Sequence, residues 1–388
     1  MKYRTIVLIC NTPALQTDIN TYCLNEVLEL GCKLIVIDAS PILLPEANRI
    51  VTAKRLEHDK IETHICYNYK ELESYIKEYA KKACFIPLFS CYYDVRKVFS
   101  MFSKYDVFYG HITTARTELD SWNVGTYKKT FKNSCLNPIH LYKALYNRIG
   151  RRVFRLKKSN FIILGGSINS EQYIQSVLHN SMTKIIQLHT WDYEIFKFAK
   201  KYDNGGRKYC VYLDQYFPFH PDFITEDGVV FSEDDKQKFF DDMNKVFDYI
   251  RDTYNYEVII AAHPRADYEN KKDLYPKTKI EYGLTCQLVK GASLVIANSS
   301  NSIMFAIMAH LPLLIIHSSV IKKCDSCEKA LYGFVNLTKA TLIKDVSDLP
   351  QKNDFFIDEK RYDYIEYNFI KSIPDNEKTM WQNILENL

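Results

Sequence analysis

"EVIIAAHPRADYE", residues 257–269, opens as a buried strand and then changes character. Five of the six residues from Glu257 to Ala262 are apolar, the pattern of a strand covered on both faces. His263, Pro264 and Arg265 follow where such a strand must end, and the proline denies the ladder a further N–H. Packing does not require an imidazole and a guanidinium there. In open α/β sheets, however, the carboxyl ends of the strands are where ligands bind.

The same grammar extends in both directions. "TIVLIC", "KLIVIDAS", "ACFIPLF", "YDVFYGH" and "NFIILGG" read as strands of a first half, alternating with helix patterns such as "DINTYCLNEVLEL" and "YKELESYIKEYAKK". A polar, glycine-containing segment, "KKYDNGGRK" at residues 200–208, separates this half from a second one. There "YCVYLDQ", "EVIIAAHP", "SLVIANSS" and "PLLIIHS" read as strands. Between them, "SEDDKQKFFDDMNKVFDYIRDTYN" reads as a helix capped by Ser232, with Asp235 three residues on and Phe239, Met243, Val246, Phe247 and Ile250 on one face. Strands alternating with helices predict βαβ units and parallel sheets. The expected organisation is α/β: a Rossmann-like domain over 1–203, a second over 204–350, and a helical segment, 351–388, packing back on one of them.

Composition narrows the class. The chain has 388 residues, 47% hydrophobic and 25% charged, ordinary values for a globular protein. A net charge of +4 is too small to argue for nucleic acid. No apolar run reaches the roughly 18 to 20 residues that span a bilayer. The start, "MKYRTIVLICNTPALQ", lacks a small-residue cleavage signature and reads as a first core strand. Eleven scattered cysteines fit reduced thiols, hence a cytoplasmic setting, and the one CxxC, Cys324 to Cys327, has no matching pair for a zinc site. "LYKALYNRIGRRVFRLKKSNF" gathers Lys143, Arg148, Arg151, Arg152, Arg155, Lys157 and Lys158. It reads either as a solvated helix face followed by a basic loop or, across residues 143–158, as a peripheral patch for an anionic partner: an inner-membrane surface, a lipid-linked diphosphate acceptor or an acidic glycan.

A second loaded strand end is "ANSSNS", where Asn298, Ser299, Ser300, Asn301 and Ser302 lie between a strand and a helix. One of them would suffice to cap the helix. Five in a row offer hydroxyls and backbone N–H groups to a phosphate, and His263 and Arg265 are expected beside them.

The order of an "HP" strand end and a downstream "SS" turn resembles the nucleotide-binding domain of bacterial GT-B sialyltransferases and of related enzymes using CMP-activated ulosonic sugars. The blocks "LHTWDYEIF" and "YLDQYFPFHPDF" are similar to blocks in uncharacterised polysaccharide-locus proteins, and the resemblance covers mainly residues 185–316. It implies a GT-B-like fold, with two Rossmann-like domains whose parallel sheets face an interdomain cleft. It also implies phosphate contacts from His263, Pro264, Ser299 and Ser300. One feature departs from the family: its acidic motif belongs in the N-terminal domain, whereas "EDG" here is Glu226 to Gly228, in a loop. The carboxylate that deprotonates an acceptor therefore has to be sought elsewhere. Asp214 in "YLDQ", Asp192 in "HTWDYE" and Asp38 in "VIDAS" are the candidates, with His189, Gln215, His220 and Asp222 as further candidates for contacting donor or acceptor.

No DxD at a strand end, no Walker A sequence and no GxGxxG after a strand appears, so neither a metal nor a cofactor is expected. "LGGSIN", from Gly165, reads as a tight turn or a close approach. The function expected from all of this is a metal-independent transferase moving a sugar from a nucleotide, CMP-ulosonic acid favoured, to a glycan or lipid-linked glycan of a bacterial surface polysaccharide. Alternatives are a nucleotide-sugar epimerase, a polyol-phosphate transferase, or a non-catalytic glycan-binding subunit.

Overall fold

The computed structural model describes residues 3–50, 54–112, 142–143, 146, 155–166, 174, 177–220, 222–225, 227–351, 354–371 and 377–388. They fall into two units, Met1–Glu194 with Tyr367–Leu388, and Ile195–Glu366.

In the first unit β1 (Thr5–Cys10), β2 (Lys33–Asp38), β3 (Ile61–Ile65) and β4 (Cys84–Pro87) form a parallel sheet in the order β3-β2-β1-β4. β5 (Gly110–Ile112), β6 (Phe161–Gly165) and β7 (Lys184–Leu188) follow in the order β5-β6-β7. A parallel bridge between Phe85 and Tyr109 joins the two sets. Strand alternation divides the core: Ile6, Leu8 and Cys10 pack on one face, Val7 and Ile9 on the other.

The C-terminal helix Met380–Asn387 belongs to this unit. Thr379 and Gln382 close its capping box, and its first turn is anchored by Met380 N–H donating to Glu194 Oε1 at 3.0 Å. Trp381 lies 5.6 Å from Trp191 and donates its indole N–H to the Tyr22 carbonyl at 2.8 Å.

The second unit holds β8 (Tyr209–Leu213), β9 (Glu257–Ala262), β10 (Lys279–Tyr282), β11 (Leu294–Ala297), β12 (Leu313–Ile316) and β13 (Thr341–Ile343). Their order is β10-β9-β8-β11-β12-β13, and every pairing is parallel. Strand order reverses direction between β8 and β11, the topological switch point where doubly wound sheets open a crevice. The helix Glu233–Tyr254 starts at the Ser232–Asp235 capping box and buries Phe239, Met243, Val246, Phe247 and Ile250, as its spacing predicts.

Three expectations change. The division lies at residues 194/195 rather than 203/204, because the helix Trp191–Phe198 starts with Trp191 packed in the first unit. Its far end is tied to the second: Lys290 Nζ donates to the carbonyls of Phe196 and Ala199 at 2.8 and 2.7 Å. The segment 351–388 is split at Glu366, since Tyr362 hydroxyl donates to the Leu311 carbonyl of the second unit at 3.1 Å. "DINTYCLNEVLEL" is two short helices, Asp18–Thr21 and Leu24–Glu29, broken where Cys23 adopts φ +48. Among the described residues no helix is long and apolar enough to cross a membrane.

Candidate functional site

β-ladder register brings the loaded strand ends together. Leu213 pairs with Ala261 on one side and Ala297 on the other, and Ala297 pairs with Ile315. By sequence offset His263, Gln215, Ser299 and His317 form one rank, each two residues beyond these paired positions of β9, β8, β11 and β12. The reading of the sequence found the first three. It missed His317 in "PLLIIHS", although the signal, a histidine ending an apolar strand, is the same as at His263.

One step nearer the sheet, buried Asp214 ties this edge together. Its carboxylate accepts from His263 N–H at 3.1 Å, Tyr216 N–H at 2.8 Å and Tyr268 hydroxyl at 3.0 Å. Burial pushes its pKa up to about 6, against the opposing pull of those hydrogen bonds. With three bonds to the site's own elements, Asp214 positions the His263 backbone rather than reaching outward.

His263 Nδ1 accepts from Arg265 N–H at 3.2 Å, which assigns the ring proton to Nε2. Burial, then His220 and Arg265, lower its pKa to about 3, so the imidazole is neutral and presents an Nε2–H donor. His220 meets it edge-on, with centroids 4.8 Å apart and planes at 86°.

Across the switch point, Gln215 Oε1 accepts from both the N–H and the hydroxyl of Ser299, at 3.0 and 2.7 Å. Ser300 Oγ accepts from Ser302 N–H at 3.3 Å, which leaves its own proton to donate. Asn298 is a brace: it accepts from Tyr212 hydroxyl and donates to the Ile316 carbonyl, both at 2.6 Å, and is buried. Asn301 and Pro264 are exposed. The helix behind the turn, Ile303–Met308, has six residues and receives no side-chain cap bond from Ser302. Any anion affinity here therefore rests on side chains and turn N–H groups more than on a helix field.

The remaining candidates lie in the first unit or do not converge. Buried Asp38 is consumed by its own fold, accepting from Arg55 at 2.7 Å, Ala14 N–H at 3.0 Å and Ser40 N–H at 2.9 Å. His189 Nε2 meets Glu194 Oε2 at 2.5 Å in a buried pair. Asp192, in the first turn of Trp191–Phe198, is raised to about 6 by burial alone. Asp222 opens the short helix Asp222–Thr225 of the second unit, and its side chain is outside the described residues. Gly165 and Gly166 are explained by packing: a Cβ at Gly165 would meet Thr190 at 2.7 Å, and one at Gly166 the Asn368 carbonyl oxygen at 2.4 Å.

Lys143 pairs with Asp94 at 2.8 Å and Lys157 with Asp106 at 2.5 Å, while Arg148, Arg151 and Arg152 lie outside the described residues. Asp227, from the "EDG" loop, accepts from Ser326 hydroxyl at 2.8 Å. Cys324 and Cys327 have sulfurs 2.8 Å apart, and among the described residues no cluster of three metal-ligating side chains occurs.

No family model and no curated protein matches this sequence. Solved structures do match it. The wall teichoic acid polymerase TagF superposes with a TM-score of 0.54 at 12% identity, over 99% of this chain and 88% of that one. A variant of TagF soaked with CDPG gives 0.54 at 11%, with the same coverage. The Methanocaldococcus jannaschii UDP-GlcNAc 2-epimerase, in complex with UDP-GlcNAc and UDP, gives 0.44 at 12%, over 93% of this chain and 98% of that one. At such identities the TagF likeness is one of fold: this chain is α/β with parallel sheets in Rossmann-like units, GT-B-like in architecture.

Proposed function

We propose that this protein is a metal-independent glycosyltransferase that binds a nucleotide sugar at the β8/β11 switch point of its second unit and transfers the sugar to a glycan of a surface polymer. The observation that carries this reading is the Gln215–Ser299 contact across the switch point, with the His263 backbone held to the neighbouring Asp214. A neutral Nε2–H donor and a serine turn suit phosphate oxygens, and Arg265 adds positive charge beside them. His263 then stabilises charge on the leaving phosphate, with Asp214 holding it in place. A CMP-linked ulosonic acid remains the favoured donor on the HP and SS resemblance.

The second reading is a polyol-phosphate transferase, which the fold match to a wall teichoic acid polymerase over 99% of the chain favours. Both need a nucleotide phosphate in the same rank.

Thermal shift with CMP, CDP, UDP and GDP, followed by hydrolysis assays of the corresponding activated compounds, tests the proposal. A ligand that binds the native state alone raises the melting temperature by mass action. The expected outcome is stabilisation by a cytidine nucleotide and release of CMP from a CMP-sugar. Absence of any nucleotide response would overturn both readings.

A further inference from the structure

The one CxxC of the sequence has no part in the phosphate reading. Cys324 is the N-cap of the helix Asp325–Thr338, without a side-chain cap bond, and Cys327 sits in the first turn. Their sulfurs are free thiols 2.8 Å apart. A shift of under about 1 Å brings such a pair to the roughly 2.05 Å of a disulfide. Both residues are buried, but the side chains against Cys324 belong to exposed residues, Ser326 at 3.3 Å and Asp227 at 3.4 Å. Asp227 Oδ2 also accepts from the Ser326 hydroxyl at 2.8 Å, and it is the acceptor to which the Cys324 proton can pass. The free N–H groups at the start of this 14-residue helix favour negative charge beside them. Hydrogen bonds from Cys327, then from Ser326 and the Cys327 N–H, hold the Cys324 pKa below the ordinary thiol value, against burial and the Asp227 charge. Burial pushes Cys10, Cys23, Cys32, Cys66, Cys84 and Cys210 the other way.

We propose that Cys324 and Cys327 form a reversible oxidation site, at which hydrogen peroxide converts the thiol pair to a disulfide. Cys324, its proton passed to Asp227, attacks one peroxide oxygen as a thiolate. The O–O bond breaks, the leaving hydroxide takes up a proton as water, and Cys324 becomes a sulfenic acid. Cys327 then attacks the Cys324 sulfur, the S–O bond breaks, and a second water leaves. The two thiols lose two hydrogens, and the peroxide is reduced to two waters. A dithiol reductant reverses the step by exchange. The cysteines are only three residues apart, so closing the loop restrains the unfolded chain little, which suits a site of modification better than a structural staple. Oxidation also takes the Cys324 proton from Asp227, which keeps the Ser326 hydroxyl alone of these two donors.

Treating the full chain with hydrogen peroxide, alkylating the remaining thiols and weighing the peptides tests this. The peptide carrying Cys324 and Cys327 should lose two hydrogens and resist alkylation, at least about tenfold faster than any other cysteine reacts, since reactivity follows thiolate character. Dithiothreitol should restore both thiols. Cys327→Ser should stop at the Cys324 sulfenic acid, which dimedone captures, and Cys324→Ser should give neither disulfide nor capture at Cys327. Oxidation of the half-buried Cys23 ahead of an unmodified 324–327 pair would overturn the proposal and leave the pair a packing contact. Dimedone capture at Cys327 in Cys324→Ser would overturn the assignment of Cys324 as the attacking thiol. The wild-type measurement needs no substitution, so a variant that does not fold leaves the test standing. No nucleotide enters the assay, and its outcome is independent of the function proposed above.

Discussion

Gln215 Oε1 receives both donors of Ser299, the backbone N–H at 3.0 Å and the hydroxyl at 2.7 Å, across a sequence separation of 84 residues. The two residues end β8 and β11, the strands flanking the switch point, so the contact closes the crevice edge at its centre. An amide oxygen held by one N–H and one O–H occupies the position that a phosphate oxygen would take in the proposed complex. Gln215 is therefore a competitor for the ligand as well as a neighbour of it.

Gln215→Ala should accordingly tighten binding of CMP, by about 1 kcal/mol, since the ligand no longer displaces a hydrogen-bonded amide. Cytidine, which lacks the phosphate, should bind the variant and wild type alike. Calorimetry on both ligands reads this directly. Weaker CMP binding in the variant would mean that Gln215 itself holds the ligand.

His263→Ala should weaken nucleotide affinity by about 1.5–3 kcal/mol, the range for a hydrogen bond to a charged group, with little change in melting temperature. Its lowered pKa, about 3, fixes the pH response. Protonation begins well below pH 5, so this residue adds no affinity as the pH falls from 8 to 5. Calorimetry at four pH values checks it, and a His263-dependent rise in affinity near pH 6.5 would contradict the neutral donor.

Asp214→Asn isolates a stability term. The folded carboxyl titrates near 6, above its ordinary 3.8, so between those values the folded state holds a proton that the unfolded chain releases. The folded state then binds more protons, and stability falls as pH rises through this window, by about 3 kcal/mol in total. Asparagine removes this dependence while opposing the His263 N–H with its own amide donor. Urea unfolding from pH 4 to pH 7 should therefore show wild type losing about 3 kcal/mol relative to the variant. A pH-independent difference would show that Asp214 is not titrating in this range.

Among the described residues, nine of the thirteen strands were legible as apolar runs, and the four that were not share a position. β3, β7, β10 and β13 are the edges of the two sheets once the Phe85–Tyr109 bridge is counted. An edge strand is half-buried, so "IETHI", "KIIQL", "KIEY" and "TLI" mix exposed or half-buried positions into the run, whereas central strands such as "YCVYL" and "LVIA" are buried throughout. The site was legible for a related reason: a histidine or a serine run directly after "EVIIAA" or "LVIA" contrasts with the strand before it. Asp38 and Asn298 gave the same contrast but serve the scaffold, because strand ends also need acceptors and donors to close their own turns. Sequence position marks the edge, and only the hydrogen-bond partners separate brace from ligand contact.

Gly166→Ala should destabilise the first unit. Gly166 sits at φ +78 with the Asn368 carbonyl oxygen 2.4 Å from where a Cβ would lie, so the backbone of one segment must move. Gly205, at φ +64 with nothing within 4 Å, carries the conformational penalty alone. Gly205→Ala should cost about 1 kcal/mol, and Gly166→Ala at least about 2 kcal/mol more. Thermal melts of the pair separate the backbone term from the steric one, and equal melting temperatures would refute the close approach.

Ser299 and Ser300 should divide the phosphate term unequally. Ser299 spends both donors on Gln215, so its contribution appears only after that contact is exchanged for the ligand. Ser300 accepts from Ser302 N–H and keeps its proton to give, so it can donate to a phosphate oxygen without breaking a bond. The short helix Ile303–Met308 adds little field, which leaves these hydroxyls and the turn N–H groups as the source of phosphate preference in this half of the site. Ser300→Ala should therefore weaken CMP by about 1.5–3 kcal/mol while leaving cytidine unchanged, and Ser299→Ala should weaken it less, because the variant also frees Gln215 from one bond. The double variant should lose most of the preference for CMP over cytidine. Calorimetry on both ligands in wild type, the two single variants and the double variant separates phosphate recognition from base recognition. If the variants lost cytidine and CMP affinity equally, the serines would shape the turn and the phosphate would be held elsewhere.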